Sequence, residues 1–322
     1  MLNDAFGRKI NYLRVSVTDR CNLRCLYCSS RDQFSWLPPE EILTYEELLR
    51  ILKVGVSLGI KKIRLTGGEP LLRKGIVEFV ARVARLEGVA DLSLTTNGVL
   101  LKELATELKR AGLKRVNISL DTLQPERYTR LCGKPYLTRV LEGIETALKV
   151  GFYPVKLNAV IIRGQNDDEI EDLARLALEA PLEVRFIEFM PVGEGAPWKD
   201  EAYVSAEEIK DRLRAFGELK PCPSIGGGPA KTFTFPNARG KIGFITAMSD
   251  HFCKRCNRLR LTPEGKLRPC LFSDVEYNLK PLLRSRANEE ALAQAFFKAL
   301  SLKPASRLQG GSPRRLMRSI GG

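Results

Sequence analysis

The chain has 322 residues, 44% of them hydrophobic and 28% charged, with a formal net charge of +14. That length holds one large domain or two, and that apolar content excludes a disordered chain. No apolar run approaches the roughly 20 residues of a membrane span. The charge favours an anionic partner, a nucleic acid or a polyphosphate nucleotide, although basic residues spread along the whole chain also suit a solvated basic surface. Residues 1–9 lack the apolar stretch of a signal peptide. The expectation is a cytoplasmic protein, in which clustered cysteines serve metal or redox chemistry rather than disulfides.

Strand-like apolar runs at 11–17, 61–66, 91–95, 115–120, 155–161 and 183–189 alternate with amphipathic stretches at 44–58, 75–86, 100–111, 138–150, 167–179 and 205–216. The first helix opens on a capping box, Thr44 with Glu47, and Asp167 and Ser205 are N-cap residue types. Six βα units in a row predict a parallel sheet covered by helices. Eight would close a barrel, so the expected fold is α/β, an incomplete (β/α)6 TIM-like barrel with an open side for a large substrate. A doubly wound open sheet is the alternative.

After about Pro221 the texture changes. Cys222-Pro-Ser-Ile-Gly-Gly-Gly-Pro229 reads as a linker, dividing the chain into domains 4–222 and 223–322. The second is a smaller C-terminal α+β domain, with short strands at 232–235, 241–246 and 258–262 and a helix at 288–300. The basic end, 313–322, finishes Ile320-Gly321-Gly322 and by composition alone reads as frayed.

Six of the eight cysteines form two trios, Cys21, Cys25 and Cys28, then Cys253, Cys256 and Cys270. A structural zinc site closes with four protein ligands, and a cubane cluster usually takes four thiolates. Two sets of three suggest two metal centres that each keep a position open. The first trio follows the first strand, at the end where barrels place catalysis. A zinc knuckle is its alternative reading. For the second, a zinc site completed by Cys222 or His251 is the alternative. Cys132 reads as a small buried hydrophobe.

The other strand ends are polar or Gly-rich, Thr66-Gly67-Gly68-Glu69-Pro70 and Thr95-Thr96-Asn97-Gly98 among them. Asn117 and Ser119 share one strand face, as do Lys156 and Asn158. Arg14, Arg64 and Lys156 sit in buried strands, which is costly unless they meet an anion. Together they suggest a phosphate-lined interior. Arg258 and Arg260 share a face beside the second trio, either an anion clamp or an exposed basic face.

The pattern C-x3-C-x2-C with Gly-Gly-Glu-Pro after the next strand resembles the radical S-adenosylmethionine enzymes. The longer strings, Gly7-Arg8, Leu13-Arg14-Val15-Ser16-Val17-Thr18-Asp19-Arg20-Cys21-Asn22, Phe252-Cys253, Cys256-Asn257-Arg258-Leu259-Arg260-Leu261-Thr262 and the terminal Gly-Gly, are similar to the GTP 3′,8-cyclases of molybdenum-cofactor biosynthesis over essentially the whole chain. Ser29-Ser30 stand where that family usually has Met-Pro, and 303–312 lacks its usual histidine-bearing segment.

The resemblance implies two [4Fe–4S] clusters, one on each trio, each with an open iron, the first binding S-adenosylmethionine. A 5′-deoxyadenosyl radical would take hydrogen from C3′ of GTP, and C3′ would then bond to C8 of guanine, giving 3′,8-cyclo-7,8-dihydroguanosine triphosphate. It implies Tyr27, Gly68, Ser119 and Met190 for S-adenosylmethionine. It implies Arg14, Arg64, Thr95, Lys156, Arg258 and Arg260 for GTP, and Arg14 with Gly321 and Gly322 of the tail for the radical chemistry. The implied partners are GTP, an electron donor and a downstream cyclic pyranopterin synthase, with no nucleic acid and no membrane, and a homodimer is left open. The competing readings are another radical enzyme with an auxiliary cluster, acting on RNA or a peptide, and a zinc- and nucleic-acid-binding module.

Overall fold

The computed structural model describes the chain except residues 29–35, 191–199, 286, 310–312, 314 and 322. Its elements, in order, are β1 Tyr12–Ser16, α1 Tyr45–Ser57, β2 Lys62–Thr66, α2 Ile76–Ala84, β3 Asp91–Thr96, α3 Leu101–Arg110, β4 Arg115–Ser119, α4 Pro125–Cys132, α5 Leu137–Lys149, β5 Val155–Ile161, α6 Ile170–Glu179, β6 Leu182–Glu188 and α7 Ala206–Leu213. Then come β7 Lys220–Pro221, β8 Lys231–Thr234, β9 Lys241–Ile245, β10 Arg258–Leu261, β11 Lys266–Arg268, β12 Tyr277–Asn278, α8 Lys280–Arg284 and α9 Glu289–Ser301. Among the described residues no helix is long and apolar enough to cross a membrane.

Local chemistry sets the helix ends. Thr44 accepts from the Glu47 N–H at 3.2 Å while Glu47 accepts from the Thr44 N–H at 2.8 Å, the reciprocal box that starts α1. Ser205 caps α7 through a single bond, its hydroxyl accepting from the Glu208 N–H at 3.1 Å. Asp167 does not cap α6. That helix starts three residues later, at Ile170, and the Asp167 carboxylate instead accepts from the Gly164 N–H at 2.6 Å in the preceding turn. The short helix α4 adds to the expected pattern. Only Tyr128, Leu131 and Cys132 of its eight residues are buried, which leaves little periodicity to read.

The sheet order is β12-β11-β10-β1-β2-β3-β4-β5-β6-β9-β8-β7. Strands β1 to β6 are parallel neighbours in chain order, as six consecutive βα units require. The C-terminal segment extends the same sheet at both ends: β10 pairs parallel with β1, and β9 pairs parallel with β6. The boundary expected after Cys222 falls between β7 and β8, which form one antiparallel pair, so the Gly-rich stretch read as a linker is a connection inside the sheet.

Alternation decides where the core lies. Leu13, Val15, Ile63, Leu65, Val116, Ile118, Val184 and Phe186 point to one side and are fully buried against the helices, each contributing about 1.5–3 kcal/mol by burial. The residues between them, on the other face, are polar: Arg14, Arg64, Ser93, Asn117, Lys156 and Arg185, all but Arg14 also buried. Parallel strands covered on both sides normally read as continuous apolar runs. A polar inner face therefore belongs to a sheet that encloses a polar ligand.

Candidate functional site

The inner face surrounds a cavity of about 250 Å³ at the C-terminal ends of the strands. Cys21, Cys25 and Cys28 lie on its wall, in the loop that leaves β1. That loop is strung onto the end of α4, with the Arg24 N–H donating to the Cys132 carbonyl at 2.8 Å and the Leu26 N–H to the Leu131 carbonyl at 2.9 Å. Gly67 and Gly68 let the next strand end touch the loop directly, since a Cβ on either would strike the backbone of Thr18 to Arg20. The Gly68 and Glu69 amides donate to the Thr18 and Arg20 carbonyls at 2.8 and 2.7 Å. The glycines thus serve chain-to-chain approach as well as forming cavity wall.

The first trio suits an iron–sulfur cluster. Burial pushes all three thiols up, Cys28 to about 12; for Cys21, Glu69 and Cys25 add to it, while for Cys25 the contact with Cys132 acts ahead of burial. Three thiolates gathered here require the positive charge of a bound metal centre. The Leu23 N–H already points at Cys21 Sγ, 3.4 Å away.

Tyr27, Gly68, Ser119 and Met190 border the same cavity. The Tyr27 hydroxyl donates to Asp121 Oδ2 at 2.6 Å, and burial raises the Asp121 carboxyl to about 6. Glu69 is fully buried, and burial raises it to about 7 even though it accepts from the Asn97 and Leu71 N–H groups and the Thr96 hydroxyl.

Arg14, Arg64, Thr95, Arg258 and Arg260 form the rest of the expected set on the cavity wall. Arg260, Arg14 and Arg64 are register partners on β10, β1 and β2, so three guanidinium groups stand side by side. Burial, then the charges of Arg260 and Arg64, bring Arg14 well below its usual range. Such a row calls for a multiply charged anion. Lys156 shares a strand face with Asn158, which lines the cavity, but lies one step further toward the strand's start. There it pairs with Glu183 at 3.2 Å and donates to the Ile225 carbonyl at 2.6 Å.

Cys253, Cys256 and Cys270 meet around a second, smaller cavity whose wall includes Arg258 and Arg260, so these arginines stand between the two trios. Burial opposes ionisation of Cys256, but Arg258 and Lys303 bring its thiol down to about 7, which favours a metal-binding thiolate. Lys303 fixes this loop by donating to the Arg258 and Pro269 carbonyls at 2.9 and 2.5 Å. Arg8 does the same from the N-terminal segment, donating to the Cys253 carbonyl at 2.9 Å. Of the two residues considered as a fourth ligand, His251 borders this cavity, while Cys222 lies on the β7–β8 side of the sheet.

The tail departs from the frayed expectation. Ile320 is fully buried, and the Gly321 carbonyl accepts from Arg14 at 3.1 Å and Arg260 at 2.9 Å. Gly321 has φ +70°, and a Cβ there would overlap the Thr66 hydroxyl. Gly322 lies outside the described residues.

Sequence reasoning passed over Arg185, which lines the cavity from β6, is 1% exposed and is paired to Glu183 through Nε at 2.6 Å. A cation inside an apolar strand was the signal, as for Arg14. It also missed Asp121 and Arg318, both on the wall of the main cavity, for which neither spacing nor motif gave a cue.

A trio of cysteines at the mouth of a polar-lined parallel sheet, followed by a Gly-Gly-Glu-Pro strand end, defines a radical S-adenosylmethionine enzyme. Residues 15–177 match the Radical SAM superfamily and 182–308 match Molybdenum Cofactor Synthesis C. At family level the chain belongs to the GTP 3′,8-cyclases. It is 52% identical to that enzyme of Moorella thermoacetica and 50% identical to that of Thermodesulfovibrio yellowstonii, each over 100% of both chains. The superfamily carries a [4Fe–4S] cluster and uses S-adenosylmethionine. In fold alone, the chain is similar to Streptococcus suis SuiB bound to S-adenosylmethionine, with a TM-score of 0.61 at 17% identity, covering 91% of this chain and 68% of that one.

Proposed function

We infer that this chain binds GTP between two iron–sulfur centres and converts it to 3′,8-cyclo-7,8-dihydroguanosine triphosphate, the first step of molybdenum-cofactor synthesis. The observation that carries the reading is Arg258 and Arg260, which stand on the walls of both cavities. A substrate held there reaches both trios at once.

In this reading, residues 4–222 hold the first cluster on Cys21, Cys25 and Cys28. Tyr27, Gly68, Ser119 and Met190 hold S-adenosylmethionine. When bound, the reduced cluster and S-adenosylmethionine supply a 5′-deoxyadenosyl radical able to take hydrogen from C3′ of GTP. Residues 223–322 hold a second [4Fe–4S] cluster on Cys253, Cys256 and Cys270, with its open position toward the guanine.

The protein's own work is orientation and shielding. Arg14, Arg64, Arg258 and Arg260, with Arg185 and Lys156 deeper in, neutralise the triphosphate and fix the ribose relative to the first trio. Thr95 offers a hydroxyl to the sugar or phosphate. The Gly321-Gly322 tail, with Arg14, positions groups for the radical chemistry. The same reading calls for a one-electron donor and for cyclic pyranopterin synthase as acceptor of the product, in the cytoplasm, where thiols stay reduced.

The test is anaerobic incubation of the reconstituted protein with GTP, S-adenosylmethionine and dithionite, with chromatography and mass spectrometry of the nucleotides. A new isomer of GTP formed together with 5′-deoxyadenosine supports the reading. 5′-Deoxyadenosine formed while GTP remains unchanged, across a range of reconstituted preparations, contradicts it.

A further inference from the structure

Beyond the cavity, toward the starts of the strands, lies a charged cluster of which the roles above use only Lys156 and Arg185. Lys62, Asp91, Arg115, Lys156 and Glu183 are the inward residues nearest the starts of β2 to β6, each paired in register with its neighbour or one step away. Residues 224–229, Ser-Ile-Gly-Gly-Gly-Pro, lie across them. The Ile225 carbonyl accepts from Arg115 Nη1 at 3.0 Å and from Lys156 Nζ at 2.6 Å.

The glycines that follow press directly on cations. A Cβ on Gly226 would overlap the Arg115 guanidinium, and one on Gly227 would overlap the Lys62 ammonium; their φ angles are +93° and +61°. Arg185 Nη1 is 3.8 Å from where a Gly228 Cβ would sit. Pro229, which ends the run, is part of the main cavity wall. Close approach to charged side chains, together with left-handed backbone, explains why positions 226 and 227 are glycine.

The charges here do not balance. Five cations, Lys62, Arg64, Arg115, Lys156 and Arg185, face two carboxylates, Asp91 and Glu183. Asp91 is committed to Arg115, accepting from its Nε at 3.1 Å, and Glu183 is shared between Lys156 and Arg185. A carbonyl brings only a partial negative charge to such a site. Burial, and then the charge of Arg185, bring the Lys156 ammonium down to about 7 against the pull of Glu183, so the floor favours a fuller anion than it now contains.

We propose that the Ile225 carbonyl stands in for a terminal-phosphate oxygen of the nucleotide, and that residues 224–229 form a floor latch which a triphosphate displaces and a monophosphate does not. The proposal rests on the reading of GTP as substrate. The seated latch lowers the apparent affinity for GTP by the fraction of molecules in which it is open, and so couples the phosphate count of the ligand to the floor of the barrel.

The test compares equilibrium binding of GTP and GMP to the anaerobically reconstituted holoenzyme, wild type and Gly226→Ala. Alanine at 226 would have to hold left-handed backbone at φ +93° and push aside the Arg115 guanidinium, one of the two donors to the Ile225 carbonyl, so the seated latch is weakened. GTP should then bind about tenfold tighter, the effect of losing one to two charge-assisted hydrogen bonds to the competing carbonyl, while GMP binding stays as in wild type. Unchanged GTP affinity, or equal shifts for GTP and GMP, overturns the latch. A structure of the wild-type GTP complex gives a second reading that needs no variant. Displacement of the Ile225 carbonyl from both Lys156 and Arg115 supports the latch, and retention of both bonds beside a bound triphosphate refutes it. A wild-type holoenzyme that fails to bind GTP at all sinks the nucleotide reading itself, a result distinct from GTP bound over a seated latch.

Discussion

Arg14 and Arg260 are register partners on adjacent parallel strands and donate to one acceptor, the Gly321 carbonyl, at 3.1 and 2.9 Å. The chain's C-terminal residues thus reach the row of arginines that the first and tenth strands build. Gly321→Ala should unseat the tail, because φ +70° and the Thr66 hydroxyl leave no room for a Cβ. The expected phenotype is normal iron content, continued 5′-deoxyadenosine formation and at least about tenfold less cyclised nucleotide, in keeping with the sensitivity of radical chemistry to misplacement. Full cyclase activity in the variant would remove the tail from the mechanism.

The arginines beside the second trio should act on the nucleotide and not on the cofactor. Arg258→Ala and Arg260→Ala are expected to weaken GTP binding by about tenfold or more each, the loss of one charge-assisted contact to phosphate. S-adenosylmethionine cleavage uncoupled from GTP should persist. Isothermal titration and a 5′-deoxyadenosine assay on the same preparations read both effects. Normal cyclisation by both variants would refute the anion clamp.

These arginines were legible in the sequence for a physical reason. For Arg14 and Arg64 it is that a guanidinium inside an apolar strand is costly without an anion; for Arg258 and Arg260 it is the strand face they share beside the second trio; all four line the cavity. Arg185 carried the same signal between apolar neighbours of β6. The order of β1 to β6 was readable because consecutive βα units pair with their neighbours. The parallel attachment of β9 and β10 to the two ends of that sheet was not, because short C-terminal strands carry no mark of a partner 50 to 250 residues away. For the same reason a basic, Gly-ended tail looked frayed: what orders it, Arg14 and Arg260, is distant in sequence. The run at 224–229 looked like a linker because its glycines answer to cations on other strands.

Lys303 is a test of the second trio's scaffold. It is 4% exposed and joins the start of β10 to Pro269, the residue before Cys270. Lys303→Met should leave two buried carbonyls short of a donor, at a cost of about 1–3 kcal/mol. Iron should be lost selectively from the second trio, so that Cys256→Ser and Lys303→Met both bring reconstituted protein from about eight irons to about four. Stoichiometric zinc in place of iron in the anaerobically purified wild type would contradict the cluster assignment.

Lys156 predicts a pH dependence with a definite sign. Its ammonium sits at about 7 in the free protein, mainly through burial. A bound phosphate favours the charged form, so GTP binding should draw a proton to Lys156 above pH 7. Below pH 7 the group is already protonated and contributes no slope. Above it, affinity should fall with rising pH, by at most about tenfold per unit from this one group. Lys156→Arg keeps the charge at all these pH values and should flatten the profile relative to wild type. Identical profiles for the two proteins would remove Lys156 from the phosphate site.

In the proposed reaction the first trio's chemistry acts on C3′ of a GTP held by the arginines between the two trios. The decisive experiment is anaerobic turnover with GTP deuterated at C3′, followed by mass spectrometry of 5′-deoxyadenosine. Transfer of a single deuterium into 5′-deoxyadenosine, matched by formation of the cyclised nucleotide, is the predicted result. Unlabelled 5′-deoxyadenosine accompanying product formation would contradict it.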